Sequence, residues 1–80
     1  MRYVLFTTKT CSYCLDAQEL LEKNEKKFNV INFEQDQLQV LQEVKAAYDW
    51  PTVPMVFKID DNGSIVLIGG FTDLQSHLDS

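Results

Sequence analysis

The change of period at Cys11 constrains this chain more than any other feature. Arg2–Thr7 is rich in β-forming residues, with Tyr3, Val4, Leu5 and Phe6 in one apolar run. Such a run predicts a strand covered on both faces. After the polar segment Thr8–Thr10, apolar residues recur at helical spacing: Cys14, Ala17, Leu20 and Leu21, with Asp16, Glu19, Glu22 and Lys23 opposite. A strand, then a helix, then a further strand predicts a parallel β-α-β unit with a right-handed crossover.

The rest of the chain extends that unit. Asn24–Lys27 ends the first helix with polar residues alone. Phe28–Phe33 (FNVINF) alternates like a strand and carries apolar residues on both faces, so an internal position is expected. Asp36 is expected to cap a second helix, with Gln39 as its capping-box partner and Leu38, Leu41, Val44, Ala47 and Tyr48 on one face. That helix stops before Trp50-Pro51. Met55–Ile59 and Ile65–Ile68 read as two strands joined at Asp60-Asp61-Asn62-Gly63, a strong hairpin signal. Gly69-Gly70 breaks the second of them. Thr72 is expected to cap a last short helix, with Gln75 as partner and Leu74 and Leu78 facing inward. His77, on the opposite side, is expected to be solvated. The order β-α-β-α-β-β-α predicts an α/β domain over residues 1–80, with a four-stranded mixed sheet flanked by three helices.

Composition narrows the function classes. Eighty residues make one small domain that buries roughly 60% of its unfolded surface. Twelve acids against seven bases give a net charge of −5, which argues against nucleic acid as a partner. No apolar run has the length of a membrane span or of a signal-peptide core, so a cytoplasmic protein is expected.

The only cysteines, Cys11 and Cys14, form a C-x-x-C pair at the strand-to-helix junction. A bridge between them closes a tiny loop and restricts the unfolded chain little, so a stapling role explains them poorly. Structural zinc needs two more ligands, and the chain offers only His77 and carboxylates. No metal is expected. The redox reading has a physical basis. Cys11 falls where free N–H groups and the helix dipole stabilise a thiolate, and Lys9 adds positive charge. Cys14 lies one turn in, less exposed. Cys11 then serves as nucleophile and Cys14 as the resolving thiol. C-x-x-C beside a β-α-β pattern is a thioredoxin-like redox motif.

Two further segments stand out. Thr52-Val53-Pro54 precedes the third strand. It reads either as an ordinary turn proline or, with a cis bond, as backbone of Val53 offered to an extended peptide. Gly69-Gly70-Phe71-Thr72-Asp73 reads on its own as a turn and a common capping box. Its free N–H groups and the Thr72 hydroxyl would also receive a carboxylate, and Asp73 an ammonium, which together suit an α-amino acid head group.

Cys11-Ser12-Tyr13-Cys14, Thr52-Val53-Pro54 and Gly69–Asp73, in that order and on those elements, closely resemble the glutaredoxin family, and the resemblance covers nearly the whole chain. It implies the thioredoxin fold, glutathione as electron donor, and reduction of protein disulfides and glutathione mixed disulfides. It implies that Tyr13 flanks the bound tripeptide and that Val53, beside Thr52 and a cis-Pro54, pairs with its cysteinyl backbone. Gly70, Thr72 and Asp73 would then hold the γ-glutamyl head. The family usually carries Lys or Arg where this chain has Thr8, so Lys9 is the expected contact for the glycine carboxylate. The common proline between the cysteines is Ser12 here, and some members with that serine bind a [2Fe-2S] cluster between two subunits. Cluster carriage and a thioredoxin-like reductant served by a flavin reductase are therefore the alternative functions. The resemblance implies disulfide-containing protein substrates, ribonucleotide reductase among the candidates, and a monomer is expected. Small redox proteins of this kind are also encoded by viruses, in which case the host cytoplasm is the expected compartment.

Overall fold

The computed structural model describes residues 1–79. Strand β1 spans Arg2–Thr8, helix α1 Ser12–Lys23 and strand β2 Phe28–Phe33. A single 3₁₀ turn, Gln35–Gln37, leads into helix α2, Leu38–Tyr48. Strands β3 (Met55–Ile59) and β4 (Ile65–Gly69) form the hairpin, and helix α3 spans Phe71–Asp79. Three helices thus flank a four-stranded mixed sheet in the order β2-β1-β3-β4. β1 pairs in parallel with β2, Leu5 opposite Val30, and antiparallel with β3, Leu5 opposite Val56. Among the described residues no helix is long and apolar enough to cross a membrane.

The central place of β1 explains its composition. Tyr3, Leu5 and Thr7 are buried on one face, and Val4 and Phe6 are half-buried on the other. Tyr3, Leu5 and Val56 pack with Ala17 and Leu21 of α1 and Leu74 of α3. On the opposite face Met55 and Phe57 pack with Leu41 of α2.

Four expectations are corrected. β2 lies at the sheet edge, with Asn29–Asn32 exposed, and not inside the sheet. Its apolar residues on two faces reflect partial cover, since an edge strand has one strand neighbour. Asp36 does not cap α2. The Gln37 side chain accepts from the Glu34 N–H (3.0 Å), so the cap organises the 3₁₀ turn one step earlier. Thr72 does not cap α3. That helix begins at Phe71, and Asp73 closes its first turn by accepting from the Gly70 N–H. His77 is half-buried, its ring edge-on to Tyr3 with centroids 6.1 Å apart, because α3 packs on β4 and its Leu74 shares a core cluster with Tyr3.

Candidate active site

The loop after β1 delivers Cys11 to the start of α1. Cys11 is the N-cap, with extended backbone (φ −119°, ψ 104°), and its Sγ accepts from the Cys14 N–H at 3.1 Å. One of the orphan N–H groups of the helix start is thereby turned on sulfur. The first turn contains no acidic side chain, so nothing there offsets the positive end of the dipole. Cys11 and Cys14 are joined as a disulfide with Cα atoms 5.2 Å apart. The two sulfurs differ in setting: Cys14 is only 2% exposed, whereas Cys11 is half-buried and adjoins exposed Ser12 and Tyr13. A group approaching the disulfide from solvent therefore meets Cys11 first.

A cleft of 280 Å³ opens beside this pair. Tyr13 contributes from α1, Trp50 and Thr52–Pro54 from the α2–β3 loop, and Gly70–Asp73 from the start of α3. The loop is set by the end of α2. Asp49 takes a left-handed conformation (φ 51°), its N–H returns to the Ala46 carbonyl, and the Trp50 N–H returns to that of Lys45. The Val53–Pro54 peptide bond is cis, and Pro54 is buried at the head of β3. On the far wall, Phe71 stacks on Tyr13 with ring centroids 6.0 Å apart and planes 29° from parallel. The Asp73 carboxylate accepts from the Gly70 N–H at 3.0 Å, near the N–H groups that open α3.

The structure thus brings Tyr13, Thr52, Val53, Pro54, Gly70, Thr72 and Asp73 around one cleft; Cys11 and Cys14 are not on its wall but flank Tyr13, which is. It does not bring Lys9 there. Lys9 is exposed in the turn after β1 and lies outside the cleft wall. Sequence reasoning assigned no part to Trp50 or Phe71, which both line the cleft. Phe71 sat inside a segment already singled out, and an aromatic between a glycine pair and a helix start was the available signal. Trp50 adjoins Pro51 and looked like punctuation. Its indole N–H is buried without a partner among the described residues. Among those residues no group of three or more His, Cys, Asp or Glu converges as metal ligands do.

Comparison with known proteins sets this arrangement in context. The glutaredoxin family model matches residues 3–63. The solution structure of glutaredoxin from Brucella melitensis superposes with a TM-score of 0.75 at 26% identity, covering 99% of this chain and 79% of that one. Glutaredoxin 1 from Francisella tularensis, solved in complex with cacodylate, gives 0.73 at 24% identity, covering 98% and 92%. A DsbH oxidoreductase gives 0.50 at 21% identity, covering 96% and 68%, a likeness of fold alone. No curated protein matches the chain. The thioredoxin-like architecture is shared with these structures, and the family match takes in the C-x-x-C pair and the cis-proline loop over well more than half of the sequence. The chain therefore belongs to the glutaredoxin family.

Proposed function

We propose that this thiol–disulfide oxidoreductase takes its electrons from glutathione. The observation that carries the reading is one cleft that reaches Tyr13, between the two cysteines, walled at one side by Thr52–Pro54 and at the other by Asp73 and the opening turn of α3. A γ-glutamyl peptide has an extended backbone and an α-amino acid head, and these two walls suit those two parts.

In this reading the Cys11 thiolate attacks one sulfur of a substrate disulfide, forming a mixed disulfide and releasing the other sulfur as thiolate. Cys14 then attacks Cys11, releasing the reduced substrate and forming the Cys11–Cys14 disulfide. One glutathione thiolate reopens that bond as a glutathione–Cys11 mixed disulfide. A second removes the first as oxidised glutathione and returns the Cys11 thiolate. On a glutathionylated substrate Cys11 takes the glutathione directly, and Cys14 is dispensable. Tyr13 flanks the bound tripeptide, Val53 pairs with its cysteinyl backbone, and Gly70, Thr72 and Asp73 receive the head. Lys9, on its long flexible stem, supplies distant positive charge to the glycine end.

The physiological targets are disulfide-bearing proteins, ribonucleotide reductase among them, met in the cytoplasm by a monomer. Glutathione acts as co-substrate, with no tightly bound group. A [2Fe-2S] cluster shared by two subunits is the alternative that Ser12 motivates, and visible absorption after anaerobic reconstitution separates the two. The donor is tested by steady-state reduction of a small mixed disulfide with Asp73→Ala. The apparent KM for glutathione is expected to rise about tenfold, the scale of one charge-assisted contact. An unchanged KM, or turnover supported by thioredoxin reductase and not by glutathione, rejects the reading.

A further inference from the structure

The sheet has two edge strands, and they differ. The pairing of β4 with β3 slips between Val56 and Phe57, and acids stand on both sides of β4, Asp60 and Asp61 before it and Asp73 after. A bulged edge between like charges rejects a second copy of itself. β2 has neither device. FNVINF contains no charge and no proline, in a chain with 24% charged residues, and its register with β1 is regular from Phe28 to Phe33. Val30, aligned with Leu5, and Ile31, aligned with Phe6, lie on opposite faces of the sheet and are 39% and 46% exposed.

The ladder with β1 fixes which backbone groups point away from the sheet. The Tyr3 N–H donates to the Lys27 carbonyl at 2.9 Å, and Tyr3 lies opposite Phe28. In a parallel pair this turns the backbone groups of Asn29, Ile31 and Phe33 toward β1 and those of Phe28, Val30 and Asn32 outward. The two flanks carry opposite charge. Lys26 and Lys27 precede the strand, exposed, and neither makes an ion pair among the described residues. Glu34 follows it, exposed and with extended backbone (φ −71°, ψ 169°).

We propose that β2 is a self-pairing edge: the β2 strands of two copies lie antiparallel about a two-fold axis at Val30, joining two four-stranded sheets into one, with Lys26 of each copy opposite Glu34 of the other. A two-fold normal to the sheet sets residues of the same face opposite each other. Centred on Val30, it pairs Val30 with itself and Phe28 with Asn32, all with outward backbone groups, and Lys26 with Glu34. Centred on Ile31, it would set Phe28 against Glu34 and leave Lys26 facing the 3₁₀ turn at Asp36. Parallel pairing in register would set Lys26 against Lys26. Charge therefore selects both direction and register. Each copy contributes one strand, so the interface is small and the association weak. The cleft draws no residue from β2, so the monomer proposed above performs the reaction, and pairing grows with concentration.

The test is sedimentation equilibrium of the reduced, iron-free protein, in which neither an intermolecular disulfide nor a bridging cluster can join the copies. The wild type should self-associate at low salt. Amide hydrogen exchange at Phe28, Val30 and Asn32 should slow as concentration rises, while that at Asn29, Ile31 and Phe33 stays constant. Lys26→Glu and Glu34→Lys each set like charges opposite at both ends of the paired strands, and each should weaken association about tenfold. Mixed one to one, the two variants should associate as the wild type does. The double variant Lys26→Glu/Glu34→Lys should do the same, because both arrangements restore opposite charges in the antiparallel register. Glu34 also serves the 3₁₀ turn with Gln37, so Glu34→Lys can disturb the fold; Lys26 has no such role. Lys26→Glu alone keeps the proposal testable, since its association should recover as salt screens the like charges. A wild type that stays monomeric up to about 1 mM, a Lys26→Glu variant that associates as well as the wild type at low salt, a mixture of folded variants that does not recover, or slowed exchange at β4 in place of β2 overturns the proposal.

Discussion

The two faces of the sheet are built to different densities. On the α1/α3 face Tyr3, Leu5, Ala17, Leu21, Val56 and Leu74 are all 2% exposed or less. On the α2 face the buried cluster among the described residues is Leu41, Met55 and Phe57, at 4% exposed or less, and Ile31, Tyr48 and Ile65 remain 46–59% exposed. Two helices cover the first face and one covers the second. The candidate site draws on both. The start of α3 is anchored in the dense face through Phe71 and Leu74, and Cys14 is buried one turn before Ala17 of that face, whereas Trp50 and Val53 of the cis-proline loop lean on the sparse one. The cysteine pair thus sits against the firm half of the molecule, and the loop that lines the cleft belongs to the half with looser cover, where local opening costs less.

Deleting side chains on each face tests that contrast. Leu21→Ala opens a cavity in the dense face and is expected to cost about 2–5 kcal/mol. For a chain whose whole stability is roughly 4–12 kcal/mol that is a large share, and chemical denaturation should show a midpoint far below the wild type. Val44→Ala, under α2, removes a half-buried side chain and is expected to cost about 1 kcal/mol. Ile65→Thr, on an exposed stretch of β4, should stay within about 0.5 kcal/mol. Equal losses at Leu21 and Val44 would erase the contrast.

The smallest expected effect concerns pH. Burial, and then the nearby negative charge of Asp60, push the Tyr3 hydroxyl above its usual value of 10.0. The folded state therefore holds this proton more tightly than the unfolded chain does. Its contribution is fully present below pH 10 and is lost as pH rises through the folded value. Tyr3→Phe should flatten the alkaline limb of the stability profile and leave the neutral region little changed. An unaltered limb would place the loss elsewhere.

Much of this molecule is legible in its residues, and the errors share a cause. The switch of period at Cys11 reports the β1–α1 junction because strand and helix bury different spacings, and both signals are local. The hairpin at Asn62-Gly63 is local too. The edge position of β2 is not local. FNVINF reads alike whether one strand or two lie beside it, and only the pairing of β1 with β3 decides. The start of α3 was displaced because Thr72 with Gln75 and Gly70 with Asp73 share the same capping spacing, and the choice depends on where Gly69 turns the chain. Trp50 escaped notice because its place in the cleft follows from the left-handed turn at Asp49, a backbone event with a weak sequence signal.

The contrast between the two cysteines bears most directly on the mechanism. It is measured by an assay coupling glutathione, glutathione reductase and a small glutathione mixed disulfide, run on Cys11→Ser and Cys14→Ser. The account predicts turnover retained with Cys14→Ser and lost with Cys11→Ser. Sustained turnover by Cys11→Ser would contradict it.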